Sequence, residues 1–504
     1  MMEYNSERNH IMTRKFKAGL HNISGFGLKS LSDSEVDFIH QATLQVFQRT
    51  GLKIYSEEAM EIFHGAGAVV EKFEDHGVVK IPAHIVEDCI RQAPRIYGCY
   101  GREREDDFIL EPSVVSLSCA GGCVNVIDPY TLEHRPAMKK DCGNIARICD
   151  SLDEIGVLLR PCIPNDVPAD IYPVHALEAI LSNTSKHVLI GPDNVNNLRK
   201  MIQVGAACVG GMEQFKKRPL FSASICPTSP LVLAQNVCEM IVEGARQGVG
   251  LFIVPMALAG AISPATIAGT LVSTNAEILG SIILAQLTVK GTPCIYANLS
   301  TIMDMKTGVA AVGAPEVARV AAGTTRLAKY YGLPCLAGAA MSDSKIPDAQ
   351  AAYESAFSIM LTALAGANLL FGMGGLDHLL TFDCAKLIMD AELERMVMNV
   401  LGGIEVSDDS VALDVIDQVG PAGEYLTQQH TYDHMREFSQ NKLFDRRTRD
   451  GWNDQGAKDL TERAYEKARY IVENHKPKPM PEGAAAAMQT ITAECEAELG
   501  ARQT

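Results

Sequence analysis

The sequence predicts an α/β protein built on a parallel sheet, either a closed barrel or a large doubly wound sheet, and three observations carry this. From about residue 155, short apolar, β-branched runs alternate with helical segments of roughly 12 to 20 residues, the rhythm of repeated βα units. The runs are apolar throughout, as strands buried on both faces must be. Gly248, Gly291 and Gly332 stand where helices stop just before strands.

Taken in order, residues 1–110 form an N-terminal extension. It holds two helical stretches, SDSEVDFIHQATLQVFQRTG and PAHIVEDCIRQAP, separated by a short hairpin around Ala68–Ile81. Residues 113–135 carry small residues, alternation and an Asp-Pro turn, and read as a strand pair leading into a barrel that spans 111–440. Seven strands follow at Gly156–Leu159, His187–Ile190, Leu220–Ile225, Gly250–Val254, Pro293–Ala297, Leu333–Ala337 and Asn368–Phe371. An eighth comes from 113–135 or from near Gly403–Val406. Ser229-Pro230 and Ser263-Pro264 mark helix starts. Residues 441–504 form a C-terminal extension, a helix around Asp459–Glu473 followed by an exposed polar tail after Pro477.

Composition narrows the function. Hydrophobic residues make up 47 % of the 504 and charged residues 21 %, enough apolar material for a large core. The net charge of −16 and the lack of a basic stripe argue against nucleic acid. Fourteen scattered cysteines among apolar neighbours read as reduced, buried thiols. No secretory signal is visible, so a cytoplasmic location is expected. The longest uncharged stretch, Phe357–Leu376, is broken by Gly366-Ala367-Asn368 and reads as helix, turn and buried strand, so no membrane span is expected. Cys119 and Cys123 lack the further pairing that zinc needs, and no metal site is expected.

In a barrel, chemistry sits where strands end. The richest strand-end segments are Ala-Gly-Ala-Ala-Met-Ser-Asp-Ser-Lys at 337–345 and Phe-Gly-Met-Gly-Gly-Leu-Asp-His at 371–378. Asp343 and Lys345 either orient a polar substrate or merely pair within their loop. His378 beside Asp377 is a base, a carboxylate anchor or a structural histidine. Lys345 is also the one strand-end lysine for a Schiff-base lyase or aldolase. Tyr97, Tyr100, Tyr296, Phe371, Phe382 and Trp452 could join a cation-binding aromatic cage, although such residues are more often core. Asp390 and His430 have weaker claims.

Several segments together resemble the trimethylamine methyltransferase family: DPYTLEHRPAMKKD at 128–141, SPLVLAQN at 229–236, SPATIAGTLVSTNAEILGSIILAQL at 263–287, MDMKTGVAAVGAPEVAR at 303–319 and GLPCLAGAAMSDSKIPDAQAAYES at 332–355. The closing HTYDHMREF and GWNDQGAKDLTERA continue the resemblance, which covers roughly residues 20–475. It implies a TIM-type (β/α)8 barrel, to which the N-terminal helical extension and the C-terminal helix and tail read from the residues are added. It also implies methyl transfer from an amine to the cobalt of a separate corrinoid protein. The founding member of the family places pyrrolysine in the region that resembles Gly338–Lys345, where this chain has only standard residues. That points to the branch acting on quaternary amines such as glycine betaine, proline betaine, carnitine or γ-butyrobetaine.

Under this reading the catalytic candidates are Asp343, Lys345 and His378, and Tyr296, Phe371, Asp377 and His430 bind substrate. Asp343, Phe371, Tyr296 and Asp377 would face the cation, and Lys345, His378 and His430 a substrate carboxylate. No D-x-H-x-x-G cobalamin signature occurs, so the corrinoid is expected on the partner and not tightly bound to this chain. A homo-oligomer is expected on general grounds. A betaine-binding protein without catalysis is the remaining alternative.

Overall fold

The computed structural model describes residues 21–22 and 27–503. Its centre is a ring of eight parallel strands: β1 Val114–Cys119, β2 Val157–Leu159, β3 His187–Ile190, β4 Phe221–Ile225, β5 Leu251–Ile253, β6 Cys294–Asn298, β7 Cys335–Gly338 and β8 Leu369–Met373. Parallel pairing runs from β2 through β8 to β1, and the Leu117–Ile155 pairing closes the ring. The barrel expected from the sequence is therefore present, with all seven proposed strands within two residues of their places. The eighth strand comes from 113–135; Gly403–Val406 forms no strand. The pair expected in 113–135 follows β1, as Asn125–Ile127 against His134–Pro136.

A helix follows each strand: α1 Lys139–Ser151, α2 Tyr172–Leu181, α3 Val195–Cys208, α4 Gln235–Gln247, α5 Ile267–Thr288, α6 Pro315–Tyr331, α7 Ala349–Ala365 and α8 Cys384–Leu401. Side chains of Asn194, Thr266, Asp348 and Asp383 cap α3, α5, α7 and α8 by accepting from the first-turn backbone N–H. Gly248, Gly332 and Gly366 end α4, α6 and α7 in the left-handed conformation. Phe357–Leu376 is helix, turn and buried strand, in line with its sequence. Among the described residues one helix, α5, is long and apolar enough to cross a membrane, and most of it is buried within the fold. The helix after Ser229-Pro230 starts only at Gln235, because Val232–Leu233 first pairs with Leu52–Ile54 of the N-terminal extension.

That extension plugs the base of the barrel. The Tyr97 hydroxyl lies 2.8 Å from Ser222 Oγ at the start of β4, and His187 Nε2 lies 2.7 Å from the same oxygen. His187 Nδ1 is 3.0 Å from the Tyr100 carbonyl. Burial pushes the His187 pKa down to about 4 and keeps the ring neutral. Because the folded value lies below the unfolded value of about 6.5, the stability tied to neutral His187 is complete above pH 6.5 and is lost as pH falls toward 4. On the order of 3 kcal/mol is at stake. His187→Gln, which keeps a donor and an acceptor, is expected to flatten the fall of unfolding free energy between pH 6.5 and 4. Identical slopes for both proteins in denaturant titrations would refute this.

At the C-terminus, Leu460–Asn474 packs on α8 and α1, with the Tyr465 hydroxyl donating to Asp383 at 2.6 Å. The stretch after Pro477, expected to be an exposed tail, contains a helix over Ala484–Gln503 that packs on α3 and buries Met488 and Cys495. All fourteen cysteines are unpaired, and thirteen are buried.

Candidate functional site

At the C-terminal ends of the strands a cavity of about 390 Å³ opens into the mouth of the barrel. Its walls are mainly apolar, with Leu159, Leu189, Leu336 and Phe371 from β2, β3, β7 and β8 and Val254 immediately after β5. Among the residues lining it, Arg160 is the single cation and Asp193 the single carboxylate.

Arg160 immediately follows β2. Its Nη1 donates to the Gly191 carbonyl at 3.1 Å, its guanidinium lies 4.9 Å from the centre of the Tyr172 ring, and its Nε is buried without a hydrogen-bond partner. Asp193 follows β3 with φ 64°, and Asn236 at the start of α4 donates to its carbonyl at 3.0 Å. The Tyr172 hydroxyl lies between the two: burial pushes its pKa up to about 12, Arg160 opposes the rise and Asp193 adds to it. Cys226, the one exposed residue among the fourteen cysteines, lines the same wall.

Phe371 reaches the cavity through an irregularity. The pairing of β8 with β1 shifts register between Phe371 and Met373, and Gly372 at φ 135° takes up the shift. A Cβ at Gly372 would lie 2.0 Å from the Ala339 carbonyl oxygen, so this close crossing of the β7 and β8 loops needs glycine.

Four of the candidates read from the sequence meet at the rim over β7 and β8. Asp343 Oδ1 accepts from the Val312 N–H at 2.8 Å and lies 2.9 Å from His378 Nδ1. Lys345 Nζ donates to the Asp343 carbonyl at 2.7 Å and stands 3.4 Å from His378 Nε2 and 3.8 Å from Asp377. Asp377, His378 and Leu379 form a left-handed run at φ 50°, 57° and 70°, a conformation costing roughly 1–2 kcal/mol per residue. Such strain persists where the surroundings enforce it. Here the Asp377 and His378 N–H groups donate to the Ser344 and Ser342 carbonyls.

Beneath the rim, α8 supplies an anchor that the sequence reveals only in part. Lys386 Nζ donates to the Ala340 carbonyl at 2.8 Å, Ser355 Oγ at 2.9 Å and Asp390 Oδ2 at 2.7 Å. The same Asp390 oxygen accepts from the Gly374 N–H at 2.9 Å. One buried pair thus ties the β7 and β8 loops together. Asp390 makes a helical salt bridge, and its Lys partner gives it this task.

The remaining candidates lie elsewhere. Tyr296 is fully buried and points outward from β6, its hydroxyl donating to Asn275 of α5 at 2.9 Å. His430 sits on the short helix Gln429–His434 beyond the barrel, its ring 4.3 Å from that of His434. Of the six aromatic residues expected as candidates for a cage, only Phe371 lines the cavity. Arg160 and Asp193 are not among the residues singled out from the sequence, because they sit directly behind β2 and β3, ahead of or outside the strand-end segments rich in polar residues. The signal that finds both is position alone, one to three residues past a strand end.

Asp343 joins three loops, so Asp343→Ala is expected to cost about 1–3 kcal/mol by leaving the Val312 N–H unpaired. Urea unfolding measures this, and a change below a few tenths of a kcal/mol would show that the loop junction contributes no stability.

Comparison with known proteins adds a family. The sequence profile of the trimethylamine methyltransferase (MTTB) family matches residues 5–500. A trimethylamine methyltransferase MttB from Desulfitobacterium hafniense (strain DSM 10664 / DCB-2) is 47 % identical over 484 residues, covering 96 % of this chain and 97 % of the relative. A glycine betaine methyltransferase from Desulfitobacterium hafniense (strain Y51) is 28 % identical over 478 residues, covering 93 % and 98 %. The solved hydroxylamine complex of MtmB superposes with a TM-score of 0.53 at 13 % identity, covering 94 % of this chain and 91 % of that one, a likeness of fold.

Proposed function

The chain belongs to the trimethylamine methyltransferase family, and from that premise we propose that it moves a methyl group from a quaternary amine bearing a carboxylate to the cobalt(I) of a separate corrinoid protein. Family membership supports an enzyme acting on methylated amines. The observation that carries the finer reading is the pairing of one cation, Arg160, with mainly apolar walls in the mouth cavity.

A quaternary nitrogen has no proton to donate, so hydrogen-bonding groups around it would stay unpaired, whereas apolar walls and the face of Phe371 suit it. Its carboxylate would pair with Arg160, whose fork geometry matches a carboxylate oxygen pair. Asp193 would balance the charge of the ammonium. Glycine betaine, proline betaine, carnitine and γ-butyrobetaine share this pattern, and trimethylamine lacks the carboxylate.

The partner's corrinoid would supply a cobalt(I) nucleophile to accept the methyl group, and the C–N electron pair would leave with a neutral tertiary amine. No general acid is needed at nitrogen. This chain's task is positioning: the cavity fixes the substrate so that one N-methyl group faces the open mouth, where a partner-borne acceptor can reach it. The rim residues Asp343, Lys345, Asp377 and His378 would shape that mouth and meet the partner.

The Schiff-base alternative finds less support. Lys345 keeps 65 % of its side chain exposed, and buried Lys386 donates to three acceptors, so neither offers a free, desolvated amine.

The test is methylation of free cob(I)alamin, followed by absorbance, with glycine betaine, proline betaine, carnitine, γ-butyrobetaine, choline and trimethylamine. Turnover of a carboxylate-bearing quaternary amine with none for trimethylamine is expected. Turnover of trimethylamine or choline in preference to every betaine would refute the reading.

A further inference from the structure

Between the end of α8 and Leu443 the chain forms an arm with no hydrophobic core of its own. No residue from 402 to 442 is buried. Ile404, Val406, Leu413, Leu426, Tyr432 and Phe438 are each more than 60 % exposed. The helices Asp408–Val411, Leu413–Val419 and Gln429–His434 have 4, 7 and 6 residues, too short to hold in water without packing. An arm of this composition needs a surface to cover it.

We infer that the occupant is a second copy of this chain, joined base to base, with each arm lying across the base of its partner. Three observations point there. The first is position. α8 starts beside the mouth, where the Asp383 N–H donates to the Gly374 carbonyl, and ends near the base, where Arg395 pairs with Glu154 just ahead of β2. Its 18 residues span about 27 Å at 1.5 Å per residue, so the arm emerges at the end of the barrel opposite the mouth, out of reach of a partner docked there.

The second is charge. Residues 404–438 hold eight carboxylates against one arginine, Arg436, so they carry −7 of the chain's −16. Two arms would repel each other, so each needs a basic counterpart. Lys216, Lys217 and Lys290 stand exposed in the segments entering β4 and β6, at that same base, and among the described residues they form no ion pair. The third is the apolar surface itself: each arm presents six large apolar side chains more than 60 % exposed, and two arms crossing two bases would cover them all in one continuous interface of the kind a stable dimer needs. Base-to-base assembly leaves both mouths free and facing outward.

Sedimentation velocity of the full chain at micromolar concentration tests this. The wild type is expected at twice the 54.5 kDa chain mass. The variant Ile404→Glu/Leu426→Glu/Phe438→Glu is expected to be monomeric with an unchanged per-chain rate of cob(I)alamin methylation, which also reports that it is folded. Lys216→Glu/Lys217→Glu/Lys290→Glu and Asp408→Lys/Asp409→Lys/Asp414→Lys should each weaken the dimer at least tenfold, and an equimolar mixture of the two should restore it. A wild-type monomer, or a dimer whose mass none of these substitutions changes, would overturn the inference.

Discussion

Arg160→Gln is expected to lower kcat/KM for the accepted betaine by about 10²–10³-fold. Removing one member of a buried, hydrogen-bonded charge pair costs roughly 2–5 kcal/mol, and each 1.4 kcal/mol is a factor of ten. Most of the loss should appear in KM, because the carboxylate contact is made equally in the ground and transition states. Arg160→Lys keeps the charge and loses the planar fork, so an intermediate loss of about tenfold is expected. Choline, which has no carboxylate, serves as the internal control: its residual rate should not fall with the betaine rate. Steady-state assays of the three proteins across both substrates decide it. Unchanged betaine KM in a folded Arg160→Gln protein would leave the carboxylate anchor unassigned, even if methyl transfer itself proceeds.

The second large effect concerns the anchor beneath the rim. Lys386→Met is expected to destabilise the fold by about 3–5 kcal/mol, because it leaves Asp390 as a buried, uncompensated charge. The side chains of Lys386 and Asp390 are 2 % and 5 % exposed, so solvent offers little relief. Replacing both, as Lys386→Met/Asp390→Leu, should recover only part of the loss. The charges disappear, but the Gly374 N–H loses its partner and the Ala340 carbonyl keeps only the Ser355 hydroxyl at 3.3 Å. Denaturant unfolding of the single and double variants measures the difference. A single variant within 1 kcal/mol of wild type would mean that the β7 and β8 loops are held by other contacts. Activity should fall further than stability explains, since these loops carry Asp343 and His378 and the second follows directly on the strand that bears Phe371.

Much of the architecture is legible in the sequence. Seven strands and the helices between them follow from apolar runs, helix-start signals and stop glycines, all local features. The eighth strand is less distinct because Val114–Cys119 carries two serines, whose hydroxyls find acceptors only in the assembled barrel: Ser118 bonds the Leu370 carbonyl and Ser116 that of Glu154. The C-terminal helix Ala484–Gln503 escapes a reading of the sequence because its pattern has little amphipathic contrast. Its place is decided by the groove along α3 that it fills.

The site divides along the same line. The rim cluster is visible because Asp343, Lys345, Asp377 and His378 fall within two strand-end segments, and the pairing of β7 with β8 brings those segments together. Phe371 stands out for the same reason. Tyr296 shows where the sequence signal ends. Neighbouring residues of a strand point to opposite faces, but a strand apolar on both sides carries no mark of which face is inward. Tyr296 faces Asn275 rather than the cavity.

By itself, then, the sequence determined the βα rhythm, the positions of strands and helices, and the family, because each rests on local periodicity or on ordered segments along the chain. Only the tertiary structure decided which strand closes the ring, which side chains turn inward, that Arg160 and Asp193 share one cavity, and that Lys386 and Asp390 bind two loops from below. These depend on registers between strands distant in sequence and on whether a buried polar group finds its partner, and both are settled only when the ring closes.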